Sequence, residues 1–462
     1  MTWGPFPGAP LRLVLLGLLP SFALAAGPSG LSTQGACPVF HCTPEATGAM
    51  ALDDVSAPHR VDWQFVEGNL AGQGCSGDGS KLACLYTSTV SDGGTLRVYD
   101  PATKRLSWRS SASVELTSKA GAGQVPLLLE DGSLLASDNL RAVWYGAGGS
   151  VRGQVALSTN DDTASFGVVP LSDTRAFVNQ KNGKLTLLRL SPEVPAPNQL
   201  TTIATAQLTS ATGAALTISS PASASGSRGY FGTANGNAGL LVAVEFGSGI
   251  IETKWRYGLP ASPDASVVVL SPQVTGRLRP IVVVHLPGSR TVEHRLAIVE
   301  DAGDSFTVLS TLRLPSSMGV APLIDPVRRT MFVQTQLNQG LVSRVDLATV
   351  FALPIGADVA IETVSLAPIS VRPLMAGWSR MNLNGHVVGT FTAQSGTVFL
   401  SGKTSAGQWV MGVDSRSGAL RWATQISTQA DFYTAAWTMQ KRATTHCPIV
   451  VGDKSGVTML CP

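Results

Sequence analysis

The sequence predicts an all-β protein, an eight-bladed β-propeller built from four-stranded blades. Three observations support this fold: a composition that suits tight turns, a hairpin motif that recurs along the chain, and the spacing of that motif. Of the 462 residues, 48 are Gly and 28 are Pro, and only 14% are charged against 44% hydrophobic. Such a mixture is typical of many short strands joined by tight turns.

The best copy of the repeat lies between Gln408 and Trp422. In this copy an alternating strand ends at Asp414, an Asp-x-x-Ser-Gly turn follows, and a second strand reaches Trp422. An Asp at the first position of a turn accepts hydrogen bonds from the backbone N–H groups two and three residues further on. The recurring acid is therefore explained by the turn and needs no catalytic role.

Further copies of the motif can be placed along most of the chain. Three copies keep the acid, at Asp100, Glu245 and Asp346, and two of these continue to a Trp, at Trp108 and Trp255. Weaker copies end near positions 145, 189, 300 and 462. The spacing is roughly 45 to 55 residues, with one longer interval of about 68 before Asp414, and this period is typical of four-stranded propeller blades.

The two ends of the chain complement each other. The last copy reaches the end of the sequence where the motif still requires a fourth strand with its Trp. A lone strand around Trp63 has no hairpin partner of its own and can supply that strand. We therefore expect an N-terminal strand to pair with the C-terminal blade, which would close the ring and leave no open sheet edge.

The N-terminal residues have the pattern of a signal peptide over 1–25. Arg12 precedes an apolar run from Leu13 to Leu19, and Ala23-Leu24-Ala25 fits a cleavage site. The run is shorter than the ~20 residues of a membrane-spanning helix, so no transmembrane segment is expected after cleavage. We expect a secreted, periplasmic or cell-surface protein, with a Gly, Pro and Ser-rich linker over 26–57 and one propeller domain over 58–462.

The six cysteines are predicted to form disulfides, because exported proteins fold in an oxidising compartment. In two pairs the cysteines flank a turn almost symmetrically, so each pair would face its partner across a hairpin. The assignment depends on that symmetry alone. The predicted pairs are Cys75 with Cys84, Cys447 with Cys461, and Cys37 with Cys42.

The motif Gly-x-apolar-x-apolar-x-Asp-x-x-Thr/Ser-Gly followed by Trp resembles the repeat of the pyrroloquinoline-quinone-like propellers. That superfamily includes quinoprotein dehydrogenases and the non-enzymatic propeller lipoprotein of outer-membrane assembly. The resemblance covers nearly all of the mature chain, and its most specific copy is Asp414 to Trp422. It implies a propeller, a fold that serves both enzymes and interaction modules.

Catalytic chemistry is not supported by the residues. The resemblance implies a vicinal Cys-Cys pair and a calcium ion in the dehydrogenases, and this sequence has no adjacent cysteines. The dipeptides His41-Cys42 and His446-Cys447 could supply zinc ligands, but disulfides are favoured in an oxidising compartment. We therefore expect no cofactor and no metal, and a chain closer to the non-enzymatic assembly type.

We predict a monomeric, non-catalytic propeller that binds a protein or cell-envelope partner as a scaffold. The net charge is only +3 and basic runs are missing from the sequence, so a nucleic-acid partner is not expected. The longest interval between copies contains residues 357–384, where Trp378 marks a candidate partner loop. The alternative is an enzyme that uses the channel, either a quinone-dependent dehydrogenase or an enzyme acting on a saccharide.

Overall fold

Short β-strands, stacked into sheets around a ring, account for most of the computed structural model. The residues that the structure describes are 49–50, 60–66, 70–86, 96–110, 116, 125–158, 165–171, 174–263, 265–289, 292–318, 321–335, 341–370, 388–391, 396–404, 407–427, 433–438, 449–453 and 456–461. The predicted signal peptide lies outside these residues.

Consecutive strands along the chain form one antiparallel sheet after another. Two strands come first, β1 (Ala49–Met50) and β2 (Arg60–Val66). Blade 1 contains β3 (Leu70–Gly77), β4 (Leu82–Tyr86), β5 (Leu96–Asp100) and β6 (Arg105–Arg109). Blade 2 contains β7 (Leu127–Leu128), β8 (Leu134–Ser137), β9 (Arg141–Tyr145) and β10 (Val151–Ala156). Blade 3 contains β11 (Ser165–Pro170), β12 (Arg175–Gln180), β13 (Lys184–Leu190) and β14 (Leu200–Gln207).

The next two blades carry additions to this plan. Blade 4 contains β15 (Thr217–Ile218), β16 (Ser223–Ser225), β17 (Arg228–Asn235), β18 (Ala238–Phe246) and β19 (Ile251–Leu259). Blade 5 contains β20 (Val268–Leu270), helix α1 (Pro272–Thr275), β21 (Ile281–Leu286), β22 (His294–Asp301) and β23 (Phe306–Leu314). In blade 4 the innermost strand is split, because β15 and β16 both pair with β17.

The chain then forms two further blades, and its last three strands belong to one more sheet. Blade 6 contains β24 (Leu323–Asp325), β25 (Thr330–Gln334), β26 (Leu341–Asp346), helix α2 (Leu347–Ala352), a 3₁₀ helix (Ile361–Val364) and β28 (Ser365–Ser370). Strand β27 (Ala357–Ala360) lies between the two helices in sequence and joins the sheet of blade 5. Blade 7 contains β29 (Val388–Phe391), β30 (Gly396–Thr404), β31 (Gly407–Asp414) and β32 (Leu420–Ser427). The last strands are β33 (Tyr433–Thr438), β34 (Ile449–Asp453) and β35 (Gly456–Cys461).

The predicted ring of eight four-stranded blades is corrected by this topology. The propeller has seven blades, each formed by strands from one stretch of the chain, and the remaining sheet joins both ends in the order β2-β35-β34-β33. We call this the closing sheet. The sheets are also not uniformly four-stranded, because β1 joins blade 7 and β27 joins blade 5, both in parallel.

The closing sheet contains the pairing that the chain ends predict. Strand β2 runs antiparallel to β35, with Val61 opposite Leu460 and Trp63 opposite Met459. The N-terminal strand is thus the fourth strand of a sheet whose other three strands are C-terminal. Within the predicted linker, Ala49–Met50 pairs with Gly389 and Thr390 of blade 7, so part of that stretch belongs to the propeller.

The hydrophobic core is divided into layers that lie between successive blades. Six buried clusters of the described residues join blades 1 and 2, 2 and 3, 3 and 4, 4 and 5, 5 and 6, and 6 and 7. Strand β21 shows why, since Ile281 and Val283 pack toward blade 6 while Val282 and Val284 pack toward blade 4. Successive side chains of a strand point to opposite faces, so a blade between two neighbours buries both.

The strand directions place the connections at two faces of the ring. In each blade the inner turn joins the first and second strands, and the outer turn joins the third and fourth strands. Because neighbouring strands are antiparallel, the inner and outer turns lie at the same face, which we call the turn face. The connections between second and third strands lie at the opposite face.

One disulfide is resolved between described cysteines, and it is one of the predicted pairs. Cys75 and Cys84 are directly opposite each other in β3 and β4, with their Cα atoms 4.2 Å apart. Cys461 is also disulfide-bonded. The cysteines at positions 37, 42 and 447 lie outside the described residues.

We predict that Cys75→Ala with Cys84→Ala lowers the free energy of unfolding by about 2–3 kcal/mol, because the bridge restricts a short loop of the unfolded chain. Urea denaturation without reductant measures this. Both side chains are buried, and the single variant Cys75→Ala also removes the bridge. Its free energy of unfolding should therefore fall by about as much as that of the double variant. A loss below about 0.5 kcal/mol would contradict a stabilising bridge.

Candidate functional site

Two of the four acids of the repeat form the expected kind of turn. Asp100 accepts hydrogen bonds from the backbone N–H groups of Ala102, at 2.8 Å, and Thr103, at 3.3 Å. Asp414 accepts from the backbone of Ser417 at 2.7 Å and from its hydroxyl at 2.9 Å. Both carboxylates therefore accept hydrogen bonds within their own turns, as the motif predicts.

The other two acids have different surroundings. Asp346 ends β26 and caps helix α2, accepting hydrogen bonds from the N–H groups of Ala348 and Thr349. Glu245 accepts from the hydroxyl of Ser227 and forms an ion pair with Arg228 at 3.0 Å. The acid of the motif thus caps a helix in blade 6 and forms an ion pair in blade 4.

Three Trp residues of the motif lie at their blades' outer strands. Trp108 donates from Nε1 to the carbonyl of Ala147 in the outer turn of blade 2, at 3.0 Å. Trp422 is buried and its ring lies beside Gly412, where a Cβ atom would approach the indole Nε1 to 2.5 Å. Trp63 lies in β2, and its side chain is outside the described residues, as is the whole of Trp378.

The third Trp belongs to a buried polar network between blades 4 and 5. Trp255 donates from Nε1 to Oδ1 of Asp301 at 2.9 Å, and the Tyr230 hydroxyl donates to Oδ2 at 2.7 Å. Arg228 lies 3.7 Å from the same carboxylate and donates to the carbonyl of Gly303 at 3.0 Å. Burial, together with the charge of Asp301, raises the pKa of Tyr230, so the phenol remains a donor.

Arginine side chains make comparable contacts between other blades, which the sequence did not indicate. Arg175 of blade 3 donates to the carbonyl of Phe246 in blade 4 at 3.0 Å. Arg344 of blade 6 donates to the carbonyls of Ser415, at 3.1 Å, and Arg416 in blade 7. In each case a donor from one blade binds the outer turn of the next blade.

We predict that Asp301→Ala lowers the free energy of unfolding by about 2–4 kcal/mol, because it leaves the buried Tyr230 and Trp255 donors without their acceptor. Asp304→Ala is the matched control, since that side chain is 88% exposed and forms only a surface ion pair with Lys254. The control should change stability by less than about 0.5 kcal/mol. Denaturant titrations measure both variants. An equal loss of unfolding free energy in Asp301→Ala and Asp304→Ala would contradict a stabilising role for the buried network.

The turn at Asp414 also predicts a pH dependence. Partial burial raises the pKa, but hydrogen bonds from Ser417 and Arg421 and the Arg421 charge outweigh it and lower the pKa from 3.8 to about 2. A lowered folded-state pKa stabilises the fold above the unfolded pKa, and this contribution disappears as pH falls through about 2. The Asp414→Asn variant should therefore be less stable than wild type at pH 6. Urea titrations should show this gap shrinking between about pH 4 and 2, whereas a constant gap would contradict it.

A pocket of about 380 Å³ lies at the turn face between blades 3 and 4. Its walls come from the second and third strands of blade 3 and from the outer turn of blade 4. Two guanidinium groups, one carboxylate and several hydroxyls face this space. The lining residues are Thr174, Arg175, Arg189, Ser227, Glu245, Phe246, Gly247 and Ser248.

Exposed aliphatic side chains form a second feature, which we call the blade 4–6 surface. Its members lie in connections of three successive blades: Ile250 in the outer turn of blade 4, Leu278 in the inner turn of blade 5, and Val327 and Ile355 in blade 6. Ile250 is 63% exposed, Leu278 98% and Ile355 74%. All four lie in connections at the turn face, and exposed apolar side chains grouped on one face are typical of a binding surface.

Metal and membrane sites find no support in the described part of the chain. Among those residues, no group of His, Cys, Asp and Glu is arranged to hold a metal ion. None of the helices there is long and apolar enough to cross a membrane. The turn that carries Asp78 and Ser80, which shares letters with a calcium loop, is closed by hydrogen bonds from Ser80 to Asp78.

Two solved propellers are similar to this chain in fold. The crystal structure of Saccharomyces cerevisiae Sqt1 has 11% sequence identity and a TM-score of 0.57, and the match covers 87% of this chain and 97% of that chain. The Dos1 propeller has 11% identity and a TM-score of 0.54, covering 88% of this chain and 94% of that chain. At such identities the similarity shows the fold alone.

The chain is therefore a β-propeller protein. No protein-family model matches the sequence, and no curated protein matches it. The resemblance to the pyrroloquinoline-quinone-like repeat accordingly has no family match to support it beyond the propeller fold.

Proposed function

We propose that this protein is a non-catalytic propeller that binds a partner protein through its turn face. The blade 4–6 surface is the observation that carries this function, and it fits a partner segment with both apolar and acidic side chains. We further propose that the protein acts outside the cytoplasm as a scaffold, on the strength of the signal pattern around Arg12. Envelope proteins are candidate partners.

The blade 4–6 surface is held in place by contacts between blades. Helix α2 packs Val350 into the core between blades 5 and 6, and the guanidinium of Arg277 lies 5.7 Å from the centre of the Phe351 ring. Arg329 of blade 6 donates to the carbonyl of Thr275 in blade 5. The exposed side chains therefore project from a supported surface, which reduces the entropy cost of binding.

The connection that carries Ile355 leaves its own blade. After α2 the chain crosses to blade 5, where β27 pairs in parallel with β23, and the N–H of Gly356 donates to the carbonyl of Leu309 at 2.8 Å. It then returns to blade 6 as β28. This excursion places Ile355 at the outer edge of blade 5, next to β23.

Charge around this surface favours an acidic partner. The inner turns of blades 5 and 6 contain the sequences Arg277-Leu278-Arg279 and Val327-Arg328-Arg329. Within those two turns the only carboxylate is Asp325, which is buried and paired with Arg328 at 2.9 Å. Arg279 is exposed and makes no ion pair among the described residues. Acidic side chains flanking an apolar segment would complement this arrangement.

We predict that a short labelled peptide of Glu, Leu and Gly binds the full-length protein, measured by fluorescence anisotropy. Leu278→Ser with Ile355→Ser should weaken binding by at least about tenfold, because burial of a leucine side chain contributes about 1.5–3 kcal/mol. Both positions are exposed, so the variant should keep wild-type thermal stability.

Two peptides and one variant serve as controls. Peptides with Lys in place of Glu, or Ser in place of Leu, should bind much more weakly than the Glu/Leu peptide. Val292→Ser changes an exposed apolar residue, 45% exposed, at the opposite face and should bind like wild type. Equal binding of all three peptides, or an equal loss in Val292→Ser, would contradict the proposed surface.

A further inference from the structure

The pocket between blades 3 and 4 continues the blade 4–6 surface. Gly247 and Ser248 line the pocket, and Ile250 follows them in the same outer turn. A segment bound across Ile250 therefore reaches the pocket without crossing another blade. We propose that this pocket binds a carboxylate of that segment, either an acidic side chain or the chain end. This inference rests on the proposed function.

The pocket has a positive charge that its own carboxylate does not neutralise. Glu245 is already compensated by Arg228 at 3.0 Å and by the hydroxyl of Ser227. Arg175 donates to the carbonyls of Phe246 and Gly247 and so brings a second cation to the wall. These contacts leave the pocket with excess positive charge.

Arg189 is the group that can bind the ligand. It lies near the end of β13, is exposed, and its guanidinium has no ion pair or hydrogen bond among the described residues. A guanidinium presents parallel N–H donors that match the two oxygens of a carboxylate. The hydroxyls of Thr174 and Ser248 also line the pocket and can donate to the same group.

The chemistry of the pocket favours binding over reaction. Its side chains are cationic, hydroxylic or paired, and the described lining contains no His or Cys that could act as a base or nucleophile. A volume of about 380 Å³ accommodates an acidic side chain with its flanking backbone.

We expect Arg189→Gln to weaken binding of the Glu/Leu peptide about tenfold, and Arg189→Lys to be intermediate because it keeps charge but loses the paired donors. Replacing each Glu of the peptide in turn by Gln, and amidating its C-terminus, identifies the carboxylate. One of these peptide changes should weaken binding to the wild-type protein about tenfold. The same change should not weaken binding to Arg189→Gln any further. Arg105→Gln, an exposed change in blade 1, should bind like wild type.

Two further measurements separate this inference from the proposed function. A peptide of Gly and Glu without apolar residues, followed by NMR, should bind wild type and Leu278→Ser equally but not Arg189→Gln. If Leu278→Ser with Ile355→Ser weakens binding of the Glu/Leu peptide while Arg189→Gln does not, the blade 4–6 surface is supported as the binding surface and the pocket assignment is wrong. If inorganic phosphate binds through Arg189 as tightly as the Gly/Glu peptide, the pocket is a general anion site and the carboxylate assignment is overturned.

Discussion

The hydrogen bond from a side chain of one blade to the outer turn of the next blade is the interaction on which the rest of this structure depends. Trp108, Arg175, Arg228 and Arg344 all make it, across four of the blade junctions. Outer turns contain carbonyl groups that the sheets leave unpaired, and each donor satisfies one of them. The apolar layers hold blades together without direction, whereas these bonds fix where each outer turn lies.

The binding features follow from that placement. Arg175 holds the outer turn of blade 4 against blade 3, and Arg189 and Ser248 line the pocket between the two blades. The inner turn of blade 5, which carries Leu278, is held against blade 6 by Arg329 and Arg277. Residues that bind a partner are thus positioned by neighbouring blades, as expected for loops on a rigid scaffold.

Sequence periodicity predicted the features that depend on local chemistry. The turn at Asp414, the bridge between Cys75 and Cys84, and the pairing of the two chain ends follow from strand alternation and turn residues. The count of eight uniform blades was wrong, because a motif count treats every hairpin copy as a separate four-stranded blade and cannot reveal added strands.

Features that depend on tertiary contacts could not be predicted in the same way. Asp346 and Thr349 have the letters of a turn, but the same hydrogen bonds cap a helix, so the excursion through β27 was hidden. A charged residue at the start of a strand, such as Arg175, usually faces solvent, and nothing nearby in sequence indicates its acceptor. An acidic doublet such as Glu300-Asp301 is typical of a solvated turn, but Asp301 is only 5% exposed and lies between two blades.

Amide hydrogen exchange of the full-length protein, with and without the Glu/Leu peptide, tests binding at the turn face most directly. Slower exchange in residues 247–250, 271–280 and 347–356, with unchanged exchange in residues 286–289 at the opposite face, is the expected result. Slower exchange confined to the opposite face, or none in a peptide-saturated sample, would contradict the turn face as the binding surface.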